Sequence, residues 1–175
     1  MKGGSVILEP DRLRYEAYRC AAIPFFLALL LSCAYGFSGS LPEHLESVRI
    51  LPFRSRVTQY GLEQDLTSRI TEKVVTQGRL AVAVEGQDSE IEGTVAAYSK
   101  IPYSYTAAEV VEEYKLQIRV EVTFTDLVRE TDIINNESVT TWIVYDPDLE
   151  TEMEARERLL EQSADDIVRK CLSGW

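Results

Sequence analysis

Residues 111–124 alternate polar and apolar side chains almost without interruption. Tyr114, Leu116, Ile118, Val120, Val122 and Phe124 fall on one side, and Glu113, Lys115, Gln117, Arg119, Glu121 and Thr123 on the other. Successive side chains of a strand point to opposite faces, so this pattern predicts a strand with one buried and one wet face. A second long strand is predicted over 90–101, with Ile91, Gly93, Val95 and Ala97 on one face. The turn residues of 102–110 join the two as an antiparallel hairpin. Short apolar, β-branched runs at 47–53 (SVRILPF) and 80–84 (LAVAV) read as strands, as does 133–145. Pro52, which cannot donate to a ladder, places the end of the first run at an edge or a bulge.

A different period governs residues 60–75. Leu62, Leu66, Ile70 and Val74 recur every four residues between Glu63, Asp65, Arg69 and Lys73, and Gly78 stands where such a helix should stop. A last helix is predicted to open at Asp146-Pro147-Asp148, with Asp146 as N-cap, Pro147 in the first turn and acid at the positive end of the dipole. Leu149, Met153, Arg156, Leu160, Ala164, Ile167 and Cys171 trace its inner face, and Gly174 fits a C-cap. The fold class is therefore α+β: one mostly antiparallel sheet of four to five strands with two helices packed on one face. Leu66, Ile70, Leu116, Ile118, Leu160 and Ile167 should line the core between the layers.

The N-terminus follows another logic. Lys2, Arg12, Arg14 and Arg19 precede the apolar run CAAIPFFLALLL from Cys20 to Leu31. A basic region followed by a short apolar stretch is a secretory signal, and a dozen residues fall short of the roughly 20 that a membrane span needs. Leu30-Leu31-Ser32-Cys33 resembles the bacterial lipobox. That resemblance implies diacylglycerol on the Cys33 sulfur, cleavage before it and acylation of the new amino terminus. Ala34, in place of Asp, implies sorting to the outer membrane. The expected organisation is a signal peptide over 1–32, a lipidated tether over 33–46 and a single α+β domain over 47–175.

Composition narrows the chemistry. The net charge is −11, and the predicted signal takes away four basic and three acidic residues, so the rest stays strongly acidic. An acidic chain with no basic stripe is no nucleic-acid binder. Beyond Cys33 only Cys171 remains, which excludes an internal disulfide framework there and reads as a buried, inert thiol. His44 is the only histidine, with no carboxylate or thiolate patterned around it, and is assigned a loop role near the anchor. Glu150, Glu152, Glu154, Glu157 and Glu161 read as a solvated helix face. Neither a catalytic constellation, a metal site nor a cofactor is expected. Lys115 and Arg119 share the wet face of one strand and form a candidate phosphate contact, set against a face evened out by Glu113 and Glu121. Tyr103 and Tyr105 place two aromatics in a short hairpin loop. They either meet a partner or lipid, or fold back on the sheet.

Several segments, taken in order, carry a resemblance. Cys33-Ala-Tyr-Gly-Phe-Ser-Gly is followed by Leu41-Pro42, His44-Leu45, Ile50-Leu51-Pro52-Phe53, Tyr60-Gly61-Leu62-Glu63, Leu66-Thr67 and Gly78-Arg79-Leu80. Glu92-Gly93-Thr94-Val95, Glu113-Tyr114, Tyr145-Asp146-Pro147 and Trp175 complete it. This order behind a lipobox resembles the divergent members of the LptE family of lipopolysaccharide-assembly lipoproteins. The resemblance implies a non-catalytic subunit on the periplasmic side of the outer membrane. Its partners would be an LptD-like β-barrel that it plugs, and lipopolysaccharide. A pilotin-like or adaptor lipoprotein of another envelope machine is the alternative.

Overall fold

The computed structural model describes residues 41–173. Cys33 and its lipobox, Gly174 and Trp175 lie outside these residues. The elements run β1 (Ser47–Ile50), β2 (Arg54–Ser55), α1 (Leu62–Gln77), β3 (Ala81–Val82), β4 (Ser89–Tyr105), β5 (Val111–Asp126), β6 (Thr131–Tyr145) and α2 (Glu152–Ser173). The strand order is β3-β1-β4-β5-β6, with β2 also paired to β4. The fold is α+β, with both helices contributing to one core on one face of the sheet.

The sheet is mostly antiparallel, as expected, through β4, β5 and β6, and short parallel pairings at one side make it mixed. β1 runs parallel to β3 and β4, and β2 runs parallel to β4. The cause is α1, which carries the chain back across the sheet between β1 and β3, as a crossover between parallel strands requires. The strand expected over 47–53 stops at Ile50, and the pairing splits around Pro52, where a ladder donor is missing, resuming beyond the run as β2 at Arg54.

Phe53 shows why this split matters. Its ring is buried, and its backbone N–H donates to Thr67 Oγ1 of α1 at 3.0 Å. The ring lies across β4 at Gly93. A Cβ built on Gly93 would stand 2.7 and 2.8 Å from Phe53 Cζ and Cδ2, and nearer still to Cε2. Only glycine leaves room for that ring. The other glycine with a clear task is Gly78, which ends α1 at φ 62° with its N–H on the Val74 carbonyl, as the spacing predicts.

All six expected core residues are buried, with Phe124, Leu159 and Leu172 beside them. Three expectations need correction. In β4 a bulge between Val95 and Ala97 shifts the register: Val95 pairs with Val120, but Ala97 pairs with Arg119 and Tyr98 with Ile118. Ala97 therefore faces outward and Tyr98 inward, because one extra residue inverts the alternation beyond it. Next, β4 extends to Tyr105, so Tyr103 and Tyr105 belong to a strand and the loop shrinks to 106–110.

Finally, α2 starts at Glu152 rather than just after Asp146. Asp146 instead holds a turn, its side chain accepting from the Asp148 N–H and its carbonyl from the N–H groups of Leu149 and Glu150. The cap is Thr151. Glu154 Oε2 accepts from the Thr151 N–H at 2.8 Å and Thr151 Oγ1 from the Glu154 N–H at 3.3 Å, a reciprocal capping box. Leu149 and Met153 consequently stand exposed, and the inner face of the helix passes through Ala155, Leu159, Leu160, Ala164, Ile167, Val168 and Cys171. Burial pushes the Cys171 thiol up to about 12, which keeps it protonated and unreactive, as expected.

Candidate functional site

Helices cover one face of the sheet. The other face carries the side chains that alternate outward from β4, β5 and β6. Register sets their neighbours. Arg119 stands between Ala97 and Thr140, Gln117 between Ser99 and Trp142, and Lys115 between Ile101 and Val144. Lys115 Nζ lies 4.7 Å from the centroid of the Trp142 ring, a cation–π contact on an indole that is half exposed. The alternation of β6 puts Trp142 on the outward side with Thr140 and Val144, a signal that the sequence reading did not use.

Glu113 and Glu121 stand on this face too, each with a partner of its own. Glu121 pairs with Arg56 at 2.8 Å, and Glu113 accepts from the Ser104 hydroxyl at 2.8 Å. Lys115 and Arg119 have no carboxylate partner among the described residues, and neither has Arg54, which the register with Thr94 puts on the same face. The helical side differs. Arg69 and Lys73 hold Glu161, Lys73 also holds Asp165, Arg156 holds Asp65 and Arg158 holds Glu150. The acidic helix face is thus largely cross-linked to α1 and to itself. Arg54, Lys115 and Arg119, which have no ion-pair partner among the described residues, thus share the open sheet with Glu92 and Glu113.

The β4–β5 hairpin continues past the helical layer. At its base Lys100 lies over the Tyr114 ring at 4.3 Å and pairs with Glu152 at 2.7 Å, while Tyr114 and Tyr145 stack at 5.9 Å. The Glu152 carboxylate, helped by Tyr145, holds the Lys100 ammonium well above the usual lysine range. Beyond this layer the arms are bare. Tyr103 is 55% exposed and Tyr105 58%, so neither ring folds back on the sheet. The tip is closed by the Thr106 N–H on the Val110 carbonyl at 2.8 Å, with Glu109 at φ 60°.

A polar knot fixes the entry of the chain, and here the expectation for His44 changes. His44 Nε2 lies 2.6 Å from Asp126 Oδ2, a partner 82 residues away that local spacing does not reveal. Asp126 Oδ1 accepts from the N–H groups of Val128 and Arg129. Nearby, Asp88 accepts from the N–H groups of Glu46 and Ser47 and from the Ser47 hydroxyl. Leu45 is buried and Leu41 packs on the core, so the segment before β1 is joined to the domain. Among the described residues no group of His, Cys, Asp and Glu is arranged to hold a metal ion.

The knot predicts acid sensitivity. Burial pushes the Asp126 carboxyl up, but the Arg129 N–H, His44 and the Val128 N–H outweigh it, and its pKa lies below the ordinary value. A lowered folded pKa contributes stability above the unfolded pKa, and that stability is lost as pH falls through the folded value. Urea midpoints should therefore fall below about pH 4, and the gap between the wild type and Asp126→Asn should close over that range. A gap that stays constant would show that this carboxylate carries none of the acid sensitivity.

The family model for lipopolysaccharide-assembly proteins, LptE, matches residues 45–171. The chain belongs to the LptE family. The match spans every element from β1 to α2, stopping two residues short of the end of the last helix. Among solved structures, the uncharacterized lipoprotein B of Nitrosomonas europaea aligns with a TM-score of 0.52 at 18% identity, over 77% of this chain and 86% of that one. The hypothetical protein CT253 of Chlamydia trachomatis aligns at 0.55 and 9% identity, over 71% and 94%. Protein XCC0632 of Xanthomonas campestris aligns at 0.50 and 11%, over 74% and 87%. At these identities the likeness is one of fold. No curated protein sequence matches the chain. Membership places this LptE protein with lipoproteins of lipopolysaccharide assembly, a family without enzymatic chemistry.

Proposed function

We propose that this LptE protein is a lipid-anchored, non-catalytic subunit of the outer membrane that plugs an LptD-type β-barrel, helps it assemble, and serves insertion of lipopolysaccharide into the outer leaflet. The family match over the whole α+β domain carries this reading. The open sheet face supports it. Lys115 and Arg119, without an ion-pair partner among the described residues and flanked by the half-exposed Trp142, suit the phosphates of an anionic lipid, with the indole against its apolar part. Tyr103 and Tyr105 on the projecting hairpin supply contact area to the barrel wall at little cost in side-chain entropy. Cys33 is the lipidated residue, held to the membrane by its acyl chains.

Depletion in the native host is the test. Properly assembled barrel should fall, surface lipopolysaccharide should fall while its synthesis continues, and cells should admit large hydrophobic antibiotics. Mass spectrometry should show a mature chain that begins at Cys33 with added lipid. Lys115→Glu with Arg119→Glu should weaken lipopolysaccharide binding, and Tyr103→Ala with Tyr105→Ala should weaken barrel capture, both with the unfolding temperature nearly unchanged. Normal barrel and surface lipopolysaccharide after depletion would favour an adaptor lipoprotein of another envelope machine.

A further inference from the structure

A sheet has two edges, and an exposed edge presents unpaired backbone N–H and C=O groups to any extended chain. On one side β3 and β2 are two residues long each, and beyond Val95 the open edge of β4 is guarded by Lys100, Pro102 and two register shifts against β5. The other edge is β6, with fifteen residues and no further strand beyond it among the described residues. Its two halves differ. The first carries Asp132 and Glu137, register shifts against β5 between Val122 and Thr125, and Asn136 at φ 47°. Charges and bulges of this kind guard an edge. The second half, Ser138-Val-Thr-Thr-Trp-Ile-Val-Tyr145, pairs regularly with β5 down to Tyr145 and holds no charge, proline or bulge.

This half is also held rigid. Thr141 Oγ1 donates to Asp166 of α2 at 2.7 Å. A cleft of about 570 Å³ runs between β6 and α2, lined by Glu137, Val139, Asp166, Arg169 and Lys170. Its charges are spent on one another, Lys170 on Glu137 and Arg169 on Asp166. The edge and its flank are therefore locally neutral on a chain whose net charge is −11. Two copies of so acidic a chain repel each other, so a second copy is the poorer occupant.

We propose that residues 138–145 of β6 take up an added strand: an extended, uncharged segment of the barrel partner. This rests on the plug reading above. A closed barrel wall has no free edge of its own, so the segment comes from a loop or terminus of the barrel chain. The partner's main chain supplies the hydrogen bonds, and Trp142 beside the edge supplies an anchor for its outward side chains.

The experiment compares amide hydrogen exchange in the full lipidated chain, alone and co-purified with the β-barrel subunit of the same organism. The expected result is that amides of one parity within 138–145 exchange at least about tenfold more slowly in the complex. N–H groups alternate in direction along a strand, so either Val139→Pro or Thr140→Pro removes only an outward donor. Whichever variant keeps the wild-type unfolding temperature should bind the barrel about tenfold more weakly. A complex that forms with no change in β6 exchange overturns the proposal and leaves the plug reading standing. Protection that appears without the barrel and grows with protein concentration assigns the edge to a second copy. Protection that disappears when residues 33–40 are removed assigns it to the chain's own tether. Each of these overturns the proposal, and failure to form any complex defeats both readings.

Discussion

Alanine at Gly93 is expected to unfold this protein at a markedly lower denaturant concentration, although it adds a single methyl group. The Cβ would meet three carbons of the buried Phe53 ring below ordinary contact distance. The ring has nowhere to go. It is packed into the core, and its backbone is tied to Thr67 of α1. Overpacking of this kind costs about 1–3 kcal/mol. Removing the ring costs more: Phe53→Ala should lose about 3–5 kcal/mol, the range for a buried aromatic. The two losses should not add. In Phe53→Ala the space over Gly93 is open, so Gly93→Ala on that background should cost little. A double-mutant cycle by urea unfolding reads the coupling, and full additivity would show that ring and glycine do not meet.

Ile118→Ala should be comparably damaging, at about 2–5 kcal/mol. Ile118 sits in the central strand of the hairpin layer, fully buried, with Tyr98 and Thr141 as its cross-strand neighbours. Thr141 is bonded to Asp166, which limits how far β6 can collapse into the cavity. The unfolding midpoint should fall while the denaturant slope stays the same, since the change adds little to the surface exposed on unfolding. Little change in the midpoint would mean that the inner and outer faces of β5 are reversed.

How much of this was legible in the sequence depended on whether the deciding physics was local. The two faces of β5, the stripe of α1 and its stop at Gly78 follow from neighbours within a few residues, and all stand. The parallel pairing of β1 was not legible, because it depends on where α1 returns the chain. The outward turn of Ala97 depends on one bulge residue, which a strict alternation passes over. The late start of α2 reflects a contest between two caps: Asp146 satisfies its own turn, and Thr151 with Glu154 forms the reciprocal pair. At the candidate site, Lys115 and Arg119 were legible as neighbours on one wet face. Their lack of an ion-pair partner was not, because it rests on Arg56 drawing Glu121 from 65 residues off in the chain. The partnership of His44 and Asp126 was hidden for the same reason.

The knot at the chain entry also has a mechanical consequence. If Cys33 carries the proposed lipid anchor, drag from a moving membrane reaches the domain as tension on residues 41–46. That tension does not peel an edge strand. It meets the His44–Asp126 bond and the triple grip of Asp88 first, then runs along β1, which is bonded on both sides to β3 and β4 in parallel register. Strands loaded along their length must break their hydrogen bonds together rather than one at a time. Under the proposed anchorage the leash is thus fastened where the sheet resists shear, at the base of the hairpin and at the opposite end from its Tyr103 and Tyr105 tip.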